Sequence, residues 1–250
     1  MNSPNETLVQ EHQPDAIRQR LRRPAKSQNI SDAVLGGIDG CVTTFAVVSG
    51  VIGGGFSPTV ALVLGFANLF ADGFSMAVSN YESIKAQREF ADSIRDTEAQ
   101  HIDEIPEGER EELRQIFQQK GFKGDILNEI INTISQDRHL WIETMLTEEH
   151  GLQKAEPHPI KSALSTFAAF LIVGAMPLLP FLIPALDMQQ QFIFSAVIAA
   201  IMFFIIGMLK SMVFAKPVIV SGLFTLLTGG TAAALAFLTG YLLRQTFGIA

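Results

Sequence analysis

Three stretches of this chain are almost free of charge, and their lengths decide what it can fold into. Residues 33–78 contain no Lys, Arg or Glu and only two acids, Asp39 and Asp72. Residues 162–209 carry a single charge, Asp187, and residues 217–243 carry none. A bilayer-crossing helix needs roughly 20 apolar residues, and a soluble core rarely runs so long without polar punctuation. The hydrophobic content of 48% is ordinary for a globular protein, so the signal lies in its distribution. The sequence reads as an all-α membrane protein with five transmembrane helices.

The first span is expected from about Ser31 to Gly54, opening at "SD" and ending in "GGGFSP". That Gly/Pro cluster is a tight turn, so a second span starts near Pro58. Beyond Tyr81 the apolar run gives way to "ESIKAQREFADSIRDTEAQH" with no breaker before Pro106, and the second span is expected to continue as one long helix. Three further spans fall near 161–184, 190–211 and 217–243. Four segments follow: an N-terminal basic tail (1–30), spans one and two (31–90), a helical insert (91–157) and spans three to five (158–250).

Lys and Arg near span ends set orientation. The tail carries Arg18, Arg20, Arg22, Arg23 and Lys26, and the loop before the last span carries Lys210 and Lys216. The 53–58 turn and the 184–191 loop carry neither, and Arg244 is a weak exception. The tail and the insert are therefore expected on the cytoplasmic side. The tail reads as a topology signal, not a nucleic-acid site, because spans follow directly. No cleavable signal or targeting extension is evident, which points to a bacterial inner membrane, or to a vacuolar membrane if the source is eukaryotic. The lone Cys41 excludes an internal disulfide and CxxC chemistry.

The insert carries 16 acidic against 7 basic residues, a net charge of −9, whereas the whole chain has −7. It reads as three short helices: "PEGEREELRQIFQQKG" with Pro at its start and acids in its first turn, "FKGDILNEIINTIS", and "DRHLWIETMLTEEHG". With the extended second span these form a small acidic bundle.

Polar residues inside the apolar runs are the functional signal. Asn68, Asp72, Met76 and Asn80 recur every four residues and make one stripe on a helix face. On the first span Asp39 and Thr43 share a face, and Gly36 and Gly40 permit close approach of a neighbouring helix. An Asp at mid-membrane is disfavoured by about 2.5–3.5 kcal/mol, so two need a reason. One reason is structural, with hydrogen bonds to Ser, Thr or Asn gluing helices together. The other is an ion pathway, in which Asp39 and Asp72 neutralise a divalent cation, Thr43, Asn68 and Asn80 line its route, and the Met76 thioether favours Fe²⁺ and later metals over Mg²⁺ or Ca²⁺. Close carboxylates that bind either a proton or a metal suit an exchanger.

"GGIDGCVTTFAVVSGVIGG" followed by "GFANLFADGFSMAVSNYES" resembles the vacuolar iron transporter family, as do "GAMPLLPF" and "GMLKS" further on. The resemblance covers the chain from residue 30 onward. It implies a homodimer with its pathway at the two-fold axis and proton-coupled export of Fe²⁺, often also Mn²⁺, from the cytosol; Co²⁺, Ni²⁺ and Zn²⁺ are further candidate cargoes. Carried over by motif, Asp39 and Met76 match pore metal ligands, and Asp72 a pathway carboxylate. Asn80 departs from the pattern, placing an amide where many members carry a charge.

The insert matches the family's cytoplasmic metal-binding domain. Glu98 and His101, Glu109 and Glu112, and Met145 and Glu149 each lie three or four apart, on one face of their respective helices, so three helices can converge on metal. His101 stands where relatives usually have Glu, and imidazole remains a good ligand for these ions. Glu104, Glu107, Glu111 and Glu148 read as solvent-facing or supporting; His139, His150 and His158 read as surface residues without partners; Trp141 reads as packing. Two other classes compete with a transporter: a membrane-anchored metal sensor or buffer, and a passive divalent-cation channel. No hydrolase, nucleotide-binding or nucleophile motif is present, so no enzyme is expected.

Overall fold

The computed structural model describes residues 9–10, 12–22, 28–152, 158–214 and 217–248. Among these, every regular element is helical. They are α1 (Pro14–Arg22), α2 (Gln28–Gly53), α3 (Pro58–Glu104), α4 (Pro106–Gln119), α5 (Gly124–Ser135), α6 (Arg138–Glu148), α7 (Pro159–Gly174), a 3₁₀ segment (Met176–Leu182), α8 (Met188–Phe214) and α9 (Val218–Phe247). Arg23, Lys26 and Lys216, part of the orientation signal, lie outside the described residues. Five segments are long and apolar enough to cross a membrane: Ile30–Gly53, Pro58–Glu104, Pro159–Leu182, Met188–Ser211 and Val218–Phe247. The chain divides into two compact units, residues 1–81 with 157–250, and residues 82–156.

In the first unit, α2 packs against α7, α8 and α9. The contact with α7 is backbone to backbone: a Cβ on Gly36 would lie 2.3 Å from the Thr166 carbonyl oxygen, and one on Gly40 2.5 Å from that of Phe170. A second small-residue seam joins α2 to α9, where a Cβ on Gly53 would lie 2.2 Å from the Phe237 carbonyl oxygen. Small residues permit this approach, and dispersion contacts then hold helices together where lipid offers no hydrophobic drive. Hydroxyls such as Ser162, Thr166, Ser195 and Thr225 are buried, while large apolar side chains such as Ile219, Phe224 and Leu227 are exposed. That inverted arrangement suits a surface wetted by acyl chains. Apolar packing inside centres on Cys41, Phe45, Ala199, Phe203 and Ala233, and on Val48, Val51, Ala61, Leu178 and Phe181.

The α2–α3 turn needs its glycine: Gly55 has φ +75°, a conformation that costs a side chain energy. Pro58 then opens α3, its missing N–H costing nothing there. The third span departs from the single helix expected over 161–184. Its α-helix stops at Gly174 and "MPLLPFL" continues as 3₁₀. Pro177 and Pro180 lack the N–H groups an α-helix would use, and their rings crowd the preceding turn. Carbonyls freed in an apolar setting need donors; Ser195 Oγ donates to the Pro177 carbonyl at 2.7 Å, and Gln191 Nε2 to that of Ile183 at 3.2 Å.

The second unit has its own core of Ile102, Leu113, Leu127, Ile131, Ile134, Trp141, Ile142, Met145 and Leu146. Trp141 packs in this core with the Arg110 guanidinium 6.0 Å from its ring centroid. Asp137 caps α6, its Oδ1 accepting from the backbone N–H groups of His139 and Leu140, an arrangement worth about 1 kcal/mol. Arg138 donates through Nε and Nη2 to both oxygens of Asp103, at 2.9 and 2.6 Å. That fork holds the Asp103 carboxyl below the usual carboxylate range.

A candidate metal centre

In residues 82–156, three helices carry a cluster of ligating side chains. Glu98 and His101 sit one turn apart on α3, Glu109 in the first turn of α4, and Glu149 at the C-cap of α6 with His150 beside it. Glu98 and Glu109 are 3% and 4% exposed, and one oxygen of each is buried with no hydrogen-bond partner. His101 Nδ1 lies 3.4 Å from Glu109 Oε1, and His150 Nε2 lies 2.9 Å from Glu98 Oε1 and 3.7 Å from Glu149 Oε2. Two triads result, Glu98–His101–Glu109 and Glu98–Glu149–His150, each with its ligand atoms within 4.8 Å of one another.

The electrostatics of the cluster follow from this crowding. Burial, followed by the charges of Glu112 and Glu98, pushes the Glu109 carboxyl up to about 7, with His101 offsetting part of the effect. Burial and the neighbouring Glu98 likewise raise Glu149, with His150 opposing. Buried carboxylates with orphaned oxygens are costly unless a proton or a cation compensates them. Glu112 is solvent-exposed yet close enough to act on both Glu109 and Glu149. Met145 is fully buried in the apolar core one turn before Glu149. The acids expected outside the cluster have partners elsewhere: Glu107 with Arg110, Glu111 with Arg114, Glu148 with Lys120, and Glu104 with Gln100.

In the membrane-spanning unit, Asp39 on α2 is half-buried, Asp72 on α3 is exposed, and the two lie within electrostatic range of each other. Thr43 Oγ1 donates to the Asp39 backbone carbonyl at 2.8 Å, so its hydroxyl proton is committed to its own helix. Met76 and Asn68 are half-buried, and the Asn68 amide nitrogen is buried without a partner. Asn80 Nδ2 donates to Thr166 Oγ1 at 2.8 Å. Asp32, earlier on α2, is buried with one carboxylate oxygen unpartnered.

A model of the VIT family matches residues 30–241. The chain belongs to the VIT family. A vacuolar iron transporter of Toxoplasma gondii is 30% identical over 231 residues, covering 89% of this chain and 76% of its own length. Vacuolar iron transporter 2 of Oryza sativa is 27% identical over 92% of this chain and 96% of its own. Vacuolar iron transporter 1 of Arabidopsis thaliana is 29% identical over 83% of each. VIT family members are transporters and not enzymes.

The residue that sequence reasoning missed in this VIT protein is His150. It was expected at the surface without a partner; it is exposed, as expected, but it has a partner that the spacing along α6 does not announce. Its partner, Glu98, stands 52 positions earlier on another helix. The available signal was its place, directly after Glu149 and before the helix-ending Gly151. His139 and His158 are exposed, as expected.

Proposed function

We propose that this VIT protein is a homodimeric, proton-coupled transporter that exports Fe²⁺, and also Mn²⁺, from the cytosol. The observation that carries this reading is the Asp39–Asp72 pair, two carboxylates within electrostatic range of each other in a stretch, residues 33–78, that holds no other acid. Together they can neutralise a divalent ion. Met76, one turn beyond Asp72, adds a thioether that favours transition metals over Mg²⁺ or Ca²⁺. Asp72 and Ser75 are exposed, and a carboxylate facing lipid is expensive. A second copy covering this stripe, with water and cation between the two, removes that cost and supports the dimer. Asn68 and Thr43 line the same route, and Asn80 closes one side of it.

The acidic unit, placed on the cytoplasmic side by the basic tail, captures metal through Glu98, His101, Glu109, Glu112, Glu149 and the Met145 thioether. The relatives named as iron transporters support Fe²⁺ as cargo. The test is flux in proteoliposomes loaded with a pH-sensitive dye. Fe²⁺ or Mn²⁺ movement should drive opposite proton movement, and Asp39→Ala and Met76→Ala should abolish most of it. Parental flux in both variants would overturn the pathway, and metal current without proton movement would mean a channel.

A second reading, a membrane-anchored metal sensor or buffer, draws on the independent core of residues 82–156. Deleting residues 91–157 separates the two, since a transporter keeps residual flux through its spans.

A further inference from the structure

We infer that His150 is a metal ligand, forming with Glu98 and Glu149 a nitrogen-bearing position for a borderline divalent ion such as Co²⁺, Zn²⁺ or Fe²⁺. The inference rests on the reading of the acidic unit as a metal-capturing domain. It adds to that reading a residue and a position beyond the one that Glu98, His101 and Glu109 define.

The geometry is that of a ligand shell. Donors about 2.1 Å from a common ion stand roughly 3–4 Å from one another. His150 Nε2 is 2.9 Å from Glu98 Oε1 and 3.7 Å from Glu149 Oε2. An ordinary His–Glu ion pair explains only part of this. It satisfies one oxygen of Glu98 and leaves the other, in a residue 3% exposed, without a partner. Glu98 also belongs to both triads, so its two oxygens can serve two ions. Glu98 stands in ligand range of Glu109 in one triad and of Glu149 in the other, so each position offers two carboxylates to a divalent ion.

The backbone holds His150 in place for this role. Its N–H donates to the Met145 carbonyl at 3.3 Å, Gly151 turns the chain at φ +65°, and Leu152 packs back onto the core with its N–H on the Leu146 carbonyl at 2.9 Å. A glycine turn followed by an apolar anchor is how a helix end is fixed. The main chain of His150 is therefore held at a folded helix terminus, with its imidazole on Glu98. Imidazole nitrogen raises affinity for Co²⁺, Ni²⁺ and Zn²⁺ more than for Mn²⁺, and oxygen-only shells favour Mg²⁺ and Mn²⁺. His150 thus sets selectivity within the capture domain.

The test uses the full chain in lipid nanodiscs, titrated with Co²⁺ by calorimetry and visible absorption, and loaded with Mn²⁺ for pulsed electron paramagnetic resonance. His150→Leu should lose one equivalent of Co²⁺, or weaken that equivalent at least tenfold, with Mn²⁺ affinity changed less. His139→Leu, an exposed residue in the first turn of α6, should bind as the parent does. In His101→Leu the bound Mn²⁺ should still show imidazole ¹⁴N coupling, now from His150 alone. Unchanged Co²⁺ stoichiometry and affinity in His150→Leu, or no ¹⁴N coupling in metal-loaded His101→Leu, would overturn the assignment. These readouts do not depend on flux, so a failed transport assay and a failed ligand assignment are told apart.

Discussion

Asn80 and Thr166 join α3 to α7 by an amide-to-hydroxyl hydrogen bond of 2.8 Å. Asn80 places an amide where the family resemblance implies a charge, and the bond shows what the amide does. An amide can donate to a neutral hydroxyl, which a carboxylate cannot do. Interhelical hydrogen bonds of this kind in membranes contribute about 0.6 kcal/mol on average and up to about 1.7. Asn80→Leu is expected to lower unfolding stability in mild detergent by that amount, and Thr166→Val by a similar one. The double variant should lose little more than either single one, and strict additivity would show that the two side chains do not act together.

The Gly36–Thr166 and Gly40–Phe170 approaches predict a sharp size limit. A methyl on Gly40 would sit 2.5 Å from a carbonyl oxygen, and backbone cannot rotate away as a side chain does. Gly40→Ala should cost about 1–3 kcal/mol and reduce the recovered folded protein in fluorescence-detected size-exclusion chromatography. Gly230 on α9 has nothing within 4 Å of an added Cβ, so Gly230→Ala should be neutral or gain up to about 1 kcal/mol from helix propensity. Equal behaviour of the two variants would contradict the packing described.

Glu109 gives the acidic unit a pH dependence whose sign is fixed. Its carboxyl is raised from 4.5 to about 7, so the metal-free fold holds a proton that the unfolded chain has released. Its contribution to stability is full below pH 4.5, falls as pH rises from 4.5 to about 7, and is constant above. Glu149 is shifted in the same direction. Asp103 behaves oppositely, because its carboxyl is lowered by Arg138, and its contribution is lost only as pH falls below the ordinary value of 3.8. On the proposed capture of metal by this cluster, the cation displaces the Glu109 proton. Calorimetry near pH 6 in buffers of different ionisation enthalpy should therefore show proton release on Co²⁺ binding, and Glu109→Gln should show less of it. Equal release in both would remove Glu109 from the site.

Much of this architecture is legible in the sequence because membrane burial is written in composition. Long stretches without Lys or Arg have no other economical fold, and the continuation of α3 past the apolar run follows from the lack of any Gly or Pro between Tyr81 and Pro106. Side-chain spacing places Glu98 with His101 and Glu109 with Glu112, since local helix geometry decides both. The third span is different. Prolines are tolerated in membrane helices when neighbours supply the lost bonds, so "MPLLPFL" does not by itself announce a 3₁₀ segment. His150 and the Asn80–Thr166 bond involve partners 52 and 86 positions away, and such pairings are set by tertiary packing.

The glycine contacts of α2 differ in kind from those of α3, and this has a mechanical consequence. Gly36 and Gly40 on α2 meet the main chain of α7, whereas Gly65 and Gly73 on α3 meet the side-chain tips of Leu178, Phe170 and Phe167. Interlocked main chains behave as one stave, but flexible side-chain tips can change rotamer and let a helix slip. Asp39 is therefore carried on the interlocked pair, and Asp72 and Met76 on a helix that meets α7 through side-chain tips and the Asn80–Thr166 bond. The separation of the two carboxylates thus depends on a seam of side-chain tips, while the α2–α7 seam is fixed by main-chain contact.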